Sequence, residues 1–263
     1  MFVNYLIGFF VFIFGLCVGS FLNCAIYRLE KGKSLNGRSF CPHCKHALSW
    51  QDLFPVFSFF FLGGRCRYCQ KKISSQYPLV ELFTGFLFVL IFVFQAPNLR
   101  FHDLMALCFM FYVSCAMMII FIYDLKHYLI PDAVLLPAII ITSILRIFDF
   151  AFWVSAPLLN YIFAALIATG LFFIIWLISG GRWMGFGDVK LAVLMGLLLG
   201  FPNVLLALFL AFFFGAIIGI MLMGFEKKSL KSEIPFGPFL IIGTFIALFW
   251  GNQLMSWYFN LLI

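Results

Sequence analysis

Long apolar runs, broken by short polar stretches, set the pattern of this chain. Six of them read as membrane spans, over 3–26, 79–94, 104–123, 158–178, 204–225 and 234–255. A spanning helix needs about 20 mostly apolar residues. Two shorter runs, 133–148 and 189–201, bring the expected total to about eight. The apolar stretch 53–62 is too short to cross and is interrupted by Pro55 and Ser58, so it reads as an interfacial or loop-packing segment. The expected fold is therefore an all-α, polytopic transmembrane helical bundle. One polar segment, 27–78, is long enough to form a separate loop domain.

Composition agrees with lipid as the main solvent. Hydrophobic residues make up 65% of the 263 and charged residues 10%, and there are 39 Phe. A water-soluble domain carries roughly a quarter charged residues. The basic residues then orient the chain. With the N-terminus outside, the loops 27–78, 124–132, 179–190 and 226–233 share one side and hold 9, 1, 2 and 3 Lys/Arg, 15 of the 17. Arg100 and Arg146 remain on the other side. Lys and Arg gather on the cytoplasmic side of membrane proteins, so those four loops are expected there. This bias and anionic headgroups account for the net charge of +7, and a nucleic-acid partner is not called for. The first span has no charge before Arg28 and no small-residue cleavage site after it, so it is expected to be retained rather than removed as a signal peptide.

The loop 27–78 contains Cys41-Pro-His-Cys44 and Cys66-Arg-Tyr-Cys69, two Cys-x-x-Cys pairs. Two such pairs can close a tetrahedral four-sulfur site, with zinc as the expected ion and an iron–sulfur centre as the alternative. A reducing cytoplasm argues against disulfides. His43 and His46 stand nearby, but four thiolates already complete zinc's coordination. A closed site offers no position for water, so the ion is assigned a structural role in a loop too small to build a large core. Cys17, Cys24, Cys108 and Cys115 fall inside spans and read as apolar packing residues.

Only ten acidic residues are present, and Glu81, Asp124 and Asp188 stand at span edges on the expected cytoplasmic side. A carboxylate at such a place is costly and asks for a reason. Asp132 follows Pro131 and precedes an apolar run, which suits a helix N-cap. Asp124 ends a run, where a negative charge opposes the helix dipole, so capping fits it poorly. Asp188 lies in Gly185-Phe-Gly-Asp188-Val-Lys190, where the bland reading is an N-cap for the following helix. The pair is more informative than either member. Two close carboxylates titrate in separated steps, which supplies one acid and one base at the same pH. The ionised partner can activate water against a peptide carbonyl, and the protonated one can polarise that carbonyl and supply the leaving amine.

Several ordered motifs give the chain a wider likeness: Gly19-Ser-Phe-Leu-Asn-Cys-Ala-Ile-Tyr-Arg28, the two cysteine pairs, Tyr77-Pro-Leu-Val-Glu81, Asp124 through Ile130-Pro-Asp132, Gly185 to Lys190, and Pro235-Phe-Gly-Pro238. Together they resemble the type IV prepilin peptidases, bifunctional leader peptidases and N-methyltransferases of the bacterial inner membrane that serve pili, type II secretion and competence. The resemblance implies that Asp124 and Asp188 are catalytic, with Asp132 outside the dyad. It implies prepilin or pseudopilin substrates whose short basic leader is removed at the cytoplasmic face, after a Gly and before a hydrophobic residue. It further implies methylation of the new N-terminal amine with S-adenosylmethionine, an activity associated with family members that carry the cysteine-bearing loop. Glu30 departs from the family pattern, which has Pro after Arg-Leu.

On this reading residues 1–26 form the first span, 27–78 the zinc-binding loop domain associated with methyl transfer, and 79–263 the peptidase domain. Glu81 reads equally as a contact for the leader or the methylation site and as a structural contact to a neighbouring span. Three Gly-x-x-x-Gly spacings, Gly15/Gly19, Gly196/Gly200 and Gly215/Gly219, are expected to mark close helix packing. The rival functions are a proton-coupled secondary transporter using the same aspartates, a scaffold docking a pilus-assembly protein, and a presenilin-type intramembrane protease. Transporters show internal repeats and midplane binding groups, which this sequence lacks.

Overall fold

A computed structural model describes residues 2–95, 101–147, 157–224 and 234–262. Regular structure among them is helical: α1 (Phe2–Glu30), α2 (Phe57–Phe61), α3 (Gln76–Gln95), α4 (Phe101–His127), α5 (Asp132–Ile147), α6 (Leu158–Ser179), α7 (Phe186–Leu199), α8 (Asn203–Gly224) and α9 (Gly237–Leu262). Six helices among the described residues are long and apolar enough to span: α1, α3, α4, α6, α8 and α9. The two shorter runs do form helices, α5 with 16 residues and α7 with 14. At roughly 1.5 Å per residue they are about 24 and 21 Å long, short of a hydrocarbon core of about 30 Å. By length alone, six of the described helices reach full spanning length, and α5 and α7 are the two shorter members of the expected eight. The basic loop 226–233 and Arg100 lie outside the described residues.

The chain folds as two compact units, Met1–Ile119 and Ile120–Ile263, with α4 running from the first into the second. In the first unit α1 packs on α3 through its small residues. A methyl group placed on Gly15 would lie 2.8 Å from the Gly85 Cα, and one on Gly19 would lie 2.7 Å from the Glu81 Cα, so only glycine permits this approach. Buried Asn23 pins the same interface, since its Nδ2 donates to the carbonyls of Gly19 and Tyr77 and its Oδ1 accepts from Gln76. Arg28, in the last turn of α1, is buried and donates to the carbonyls of Ser34, Leu35, Gly37 and Arg38. Its guanidinium thus gathers the start of the loop around one cation.

In the second unit α5 and α7 run parallel and are tied at both ends. Near their N-termini Lys190 reaches the carboxylate of Asp132 at 2.7–2.8 Å. Near their C-termini Arg146 donates to the carbonyls of Leu197 and Leu198 at 3.0 and 2.9 Å, a cation on the negative end of a helix. Helix α6 returns antiparallel between these levels, because Asn160 at its start bonds Phe201, just beyond α7. The short helices therefore carry the chain from one end of the unit to the other. Ten of the fourteen residues of α7 are buried, so protein rather than lipid is its main surround.

Of the expected glycine pairs only part packs closely. A methyl on Gly196 would lie 2.3 Å from the Ala165 Cα, whereas Gly200 has φ of +67° and ends α7. A methyl on Gly215 or Gly219 would meet only ordinary contacts, at 3.5 and 3.9 Å, so that pair does not mark a close approach. Gly196→Ala is accordingly expected to cost about 1–3 kcal/mol or more through overpacking. Gly170→Ala, in α6 with open space at the new methyl, is expected to be neutral or stabilising, by up to about 1 kcal/mol. Thermal melting of the two detergent-purified variants checks both, and an unchanged melting point for Gly196→Ala refutes the close contact.

Candidate active site and metal centre

Asp124 and Asp188 come together at one end of the second unit. Asp124 lies in the last turn of α4, one turn before its end, and is 5% exposed. Asp188 lies in the first turn of α7 and is 8% exposed. The Asp124 carboxylate lies within electrostatic range of Asp188. Each also accepts a backbone amide next to a glycine-rich break: Gly237 donates to Asp124 and Gly185 to Asp188. The glycines are required sterically. A methyl on Gly237 would lie 2.6 Å from the Asp124 Oδ2, and one on Gly187 would lie 2.9 Å from the Ile130 Cβ. Ile130 also faces Gly237, at 3.4 Å from that notional methyl. One side chain thus wedges the starts of α7 and α9 at fixed spacing beside the carboxylates.

The capping expectations need adjustment. Gly185, not Asp188, is the residue that caps α7. Asp188 is the third residue of the helix, and its bond from Gly185 is the return half of a capping box. Capping and chemistry are therefore not exclusive, because one amide leaves the rest of the carboxylate available. Asp132 is the first residue of α5 rather than its cap, and its carboxylate is engaged by Lys190. Asp132 is about half-exposed, whereas Asp124 and Asp188 are buried, although all three belong to the same unit.

In the first unit the four cysteines of the loop converge. Their Sγ atoms all lie within 4.8 Å of one another, and Cys41 and Cys69 are 3.9 Å apart. Tetrahedral zinc with Zn–S bonds of about 2.3 Å requires sulfurs about 3.8 Å apart, so the cluster fits such an ion. The two knuckles are copies of one fold. Cys41 N–H donates to His46 and Cys66 N–H to Lys71, while Lys45 N–H donates to Cys41 and Gln70 N–H to Cys66. Lys45 and Gln70 have φ of +62° and +58°, and an isolated bridge closes each turn, Phe40 with Ala47 and Arg65 with Lys72. Burial opposes the Cys41 thiolate, but the amides of Cys44 and His43 and the neighbouring thiols outweigh it and bring Cys41 down to about 7. At Cys69 the Lys71 amide favours the thiolate, but desolvation and the adjacent sulfurs prevail and push it up to about 11. Four sulfurs gathered in so small a volume could hold a metal ion. His46 stacks on Tyr68 at 3.7 Å between centroids rather than joining the cluster.

Glu81 makes structural contacts within the first unit. Its Oε2 accepts the Val56 amide at 2.7 Å, and Ser20 donates to the same carboxylate. Val56 has φ of +64° and ψ of −52°, and Phe57 N–H bonds Pro55 at 2.6 Å across it. That is a γ-turn, a strained conformation for a β-branched residue. Glu81 holds the turn in place. Sequence reasoning had no signal for the Val56 contact or for the Lys190–Asp132 pair. Arg28 did carry one, as the first charge after a long apolar run.

Comparison with known proteins finds two family models, and several relatives matched over nearly the whole chain. Residues 13–95 match the bacterial peptidase A24 N-terminal domain, and residues 111–220 match the type IV leader peptidase family. The prepilin leader peptidase/N-methyltransferase of Aeromonas hydrophila is 32% identical, over 94% of this chain and 92% of its own length. The proteins of the same name from Legionella pneumophila and Pseudomonas aeruginosa are 33% and 29% identical, over 94% and 93% of this chain and 92% and 90% of theirs. No solved structure matches the chain.

Proposed function

The chain belongs to the type IV prepilin leader peptidase/N-methyltransferase family, and from that premise we propose that Asp124 and Asp188 are the dyad that performs the cleavage. The protein is a multi-pass membrane aspartic peptidase with N-methyltransferase activity, and its substrates are prepilins. The observation that carries the dyad is the pairing of two buried carboxylates, each accepting a glycine amide, at one end of one compact unit.

In the reaction one carboxylate is ionised and the other protonated. The ionised one takes a proton from water as the water oxygen bonds to the scissile carbonyl carbon. The protonated one donates a hydrogen bond to the carbonyl oxygen. Collapse of the tetrahedral intermediate breaks the C–N bond, and a dyad proton passes to the leaving amine. The pair shares its titration, so its two steps belong to the dyad as a whole. The site faces the cytoplasm of a bacterial inner membrane, with the N-terminus outside, where a basic leader remains in water while the apolar pilin helix lies among the spans.

Cys41, Cys44, Cys66 and Cys69 would hold zinc, whose contribution there would be structural, fixing the fold of loop 27–78. That loop is associated with methyl transfer from S-adenosylmethionine to the new N-terminal amine, and segment 79–263 contains the peptidase. The decisive test is cleavage of a purified prepilin followed by mass analysis of the product. Cleavage without added mass despite supplied S-adenosylmethionine restricts the protein to peptidase activity, and no cleavage by the native protein overturns the proposal.

Two variants probe the surroundings of the dyad. Gly237→Ala places a methyl against the Asp124 carboxylate and displaces the amide bond. Hydrogen bonds to charged groups are worth about 1.5–3 kcal/mol, so cleavage is expected to fall roughly tenfold to a hundredfold. Asp132→Ala removes only a half-exposed ion pair, worth about 1 kcal/mol or less. It is expected to keep cleavage within about tenfold of native. Initial rates on the same substrate check both, and a dead Asp132→Ala places that residue in the reaction.

A further inference from the structure

The loop domain carries an apolar face that the peptidase chemistry does not use. Trp50, Leu53, Phe54, Phe57, Phe60 and Phe61 are all exposed, Phe61 by 87%. They come from one 3-10 turn, Trp50–Leu53, and the short helix α2 beside it. Water-soluble surfaces rarely gather so many large apolar side chains in so short a stretch. The zinc knuckles on either side are polar, so this face is local to the segment between them.

Three observations say what covers it. First, the segment is fastened to a membrane span. The Val56 amide, at the entry to α2, is bound 2.7 Å from the Glu81 Oε2, and Glu81 is the sixth residue of the spanning helix that begins at Gln76. Side chains on a helix lean toward its N-terminus, so Val56 is held within the first two turns of the span. That level is the boundary between headgroups and hydrocarbon. Second, the composition is that of an interfacial segment, rich in aromatic rings and with a Trp at its edge. Third, the charge is complementary to anionic headgroups. Residues 27–78 hold nine Lys/Arg against Glu30 and Asp52, which alone equals the whole chain's net charge of +7. Arg65, Arg67, Lys71 and Lys72, directly after α2, are all exposed. Basic residues near an anionic surface are attracted to its headgroups.

We propose that residues 50–61 insert into the interface of the bilayer as an aromatic anchor, which holds the cysteine cluster against the membrane surface. The loop domain is then not suspended in the cytoplasm on two flexible ends. It is fixed at three places: the last turn of α1, the Glu81–Val56 bond and the aromatic face. The inference is independent of the peptidase dyad and stands or falls without it.

The test uses the full-length protein in nanodiscs of phosphatidylethanolamine and phosphatidylglycerol that include a lipid with a carbene-generating acyl chain. After irradiation, peptides are mapped by mass spectrometry, and hydroxyl-radical footprinting from the water side is run in parallel. Lipid adducts on the 50–61 peptide, together with adducts on α1 and α3, are the expected result. Adducts on the spans alone, with 50–61 footprinted from water, overturn the proposal. Protection of 50–61 from both reagents overturns it as well, because a protein surface rather than lipid then covers the face. Phe60→Ser/Phe61→Ser is expected to lower lipid labelling of this peptide severalfold with zinc content unchanged, which separates loss of the anchor from loss of the domain's fold. Undiminished labelling in that variant, with zinc retained, also overturns the proposal.

Discussion

Asp124→Asn and Asp188→Asn are each expected to lower prepilin cleavage by about 10³-fold or more, and the double variant is expected to fall little further than either single one. Asn has the shape of Asp and still offers an oxygen to the Gly237 or Gly185 amide, so positioning survives while proton exchange is lost. The expected melting temperatures are unchanged or raised, because a buried carboxylate next to another is costly to fold around. The measurement is a single-turnover rate on purified prepilin, with melting as the control for folding. If either variant keeps more than about a tenth of native cleavage, its residue is not a proton-transfer partner. Methylation of a pilin already freed of its leader is expected to persist in both variants, which separates the two activities. A proton-coupled transporter predicts no cleavage by the native chain at all.

The spans, the cysteine cluster and the meeting of the two aspartates were legible because each rests on a simple constraint. Apolar length marks the spans, and Cys-x-x-Cys spacing marks the knuckles. Charge asymmetry puts 124–132 and 179–190 on one face, and the Lys190–Asp132 contact joins those same segments. The two short runs do fold as the helices α5 and α7 but fall below full spanning length, and hydropathy cannot tell a helix surrounded by protein from one surrounded by lipid. Leu191, Ala192, Leu194 and Met195 are wholly buried, so α7 needs neither full spanning length nor a lipid-facing stripe. Capping was misplaced by a few residues for a related reason. Gly185 and Pro131 stand where the caps fall, and neither has a side-chain oxygen to announce itself. Glu81 was undecided from sequence because its partner is a backbone amide 25 residues away, and a backbone amide leaves no mark in residue type. The same applies to Arg28, whose four acceptors are all carbonyls.

Loss of the metal is expected to unfold the loop domain and leave the dyad's unit standing. Replacing Cys41 and Cys66 with Ser removes one thiolate from each knuckle, and two remaining sulfurs cannot close a tetrahedral zinc site. Structural zinc contributes an apparent binding energy of about 10–16 kcal/mol at pH 7, far more than a small loop can replace through its own packing. The knuckle turns need that support, since Lys45 and Gln70 hold positive φ without being glycine. Metal analysis should fall from one zinc per chain to none. Hydrogen exchange across 36–75 should rise to that of an unstructured segment, while α5, α6 and α7 keep native protection. Chelation of the native protein should give the same pattern, reversed by added zinc. Prepilin cleavage is expected to survive in part, because Asp124, Asp188 and their glycine amides all belong to the second compact unit, whereas methyl transfer is expected to be lost. Retained zinc in the double variant refutes the four-thiolate site, and equal loss of both activities refutes the division of labour between loop and spans.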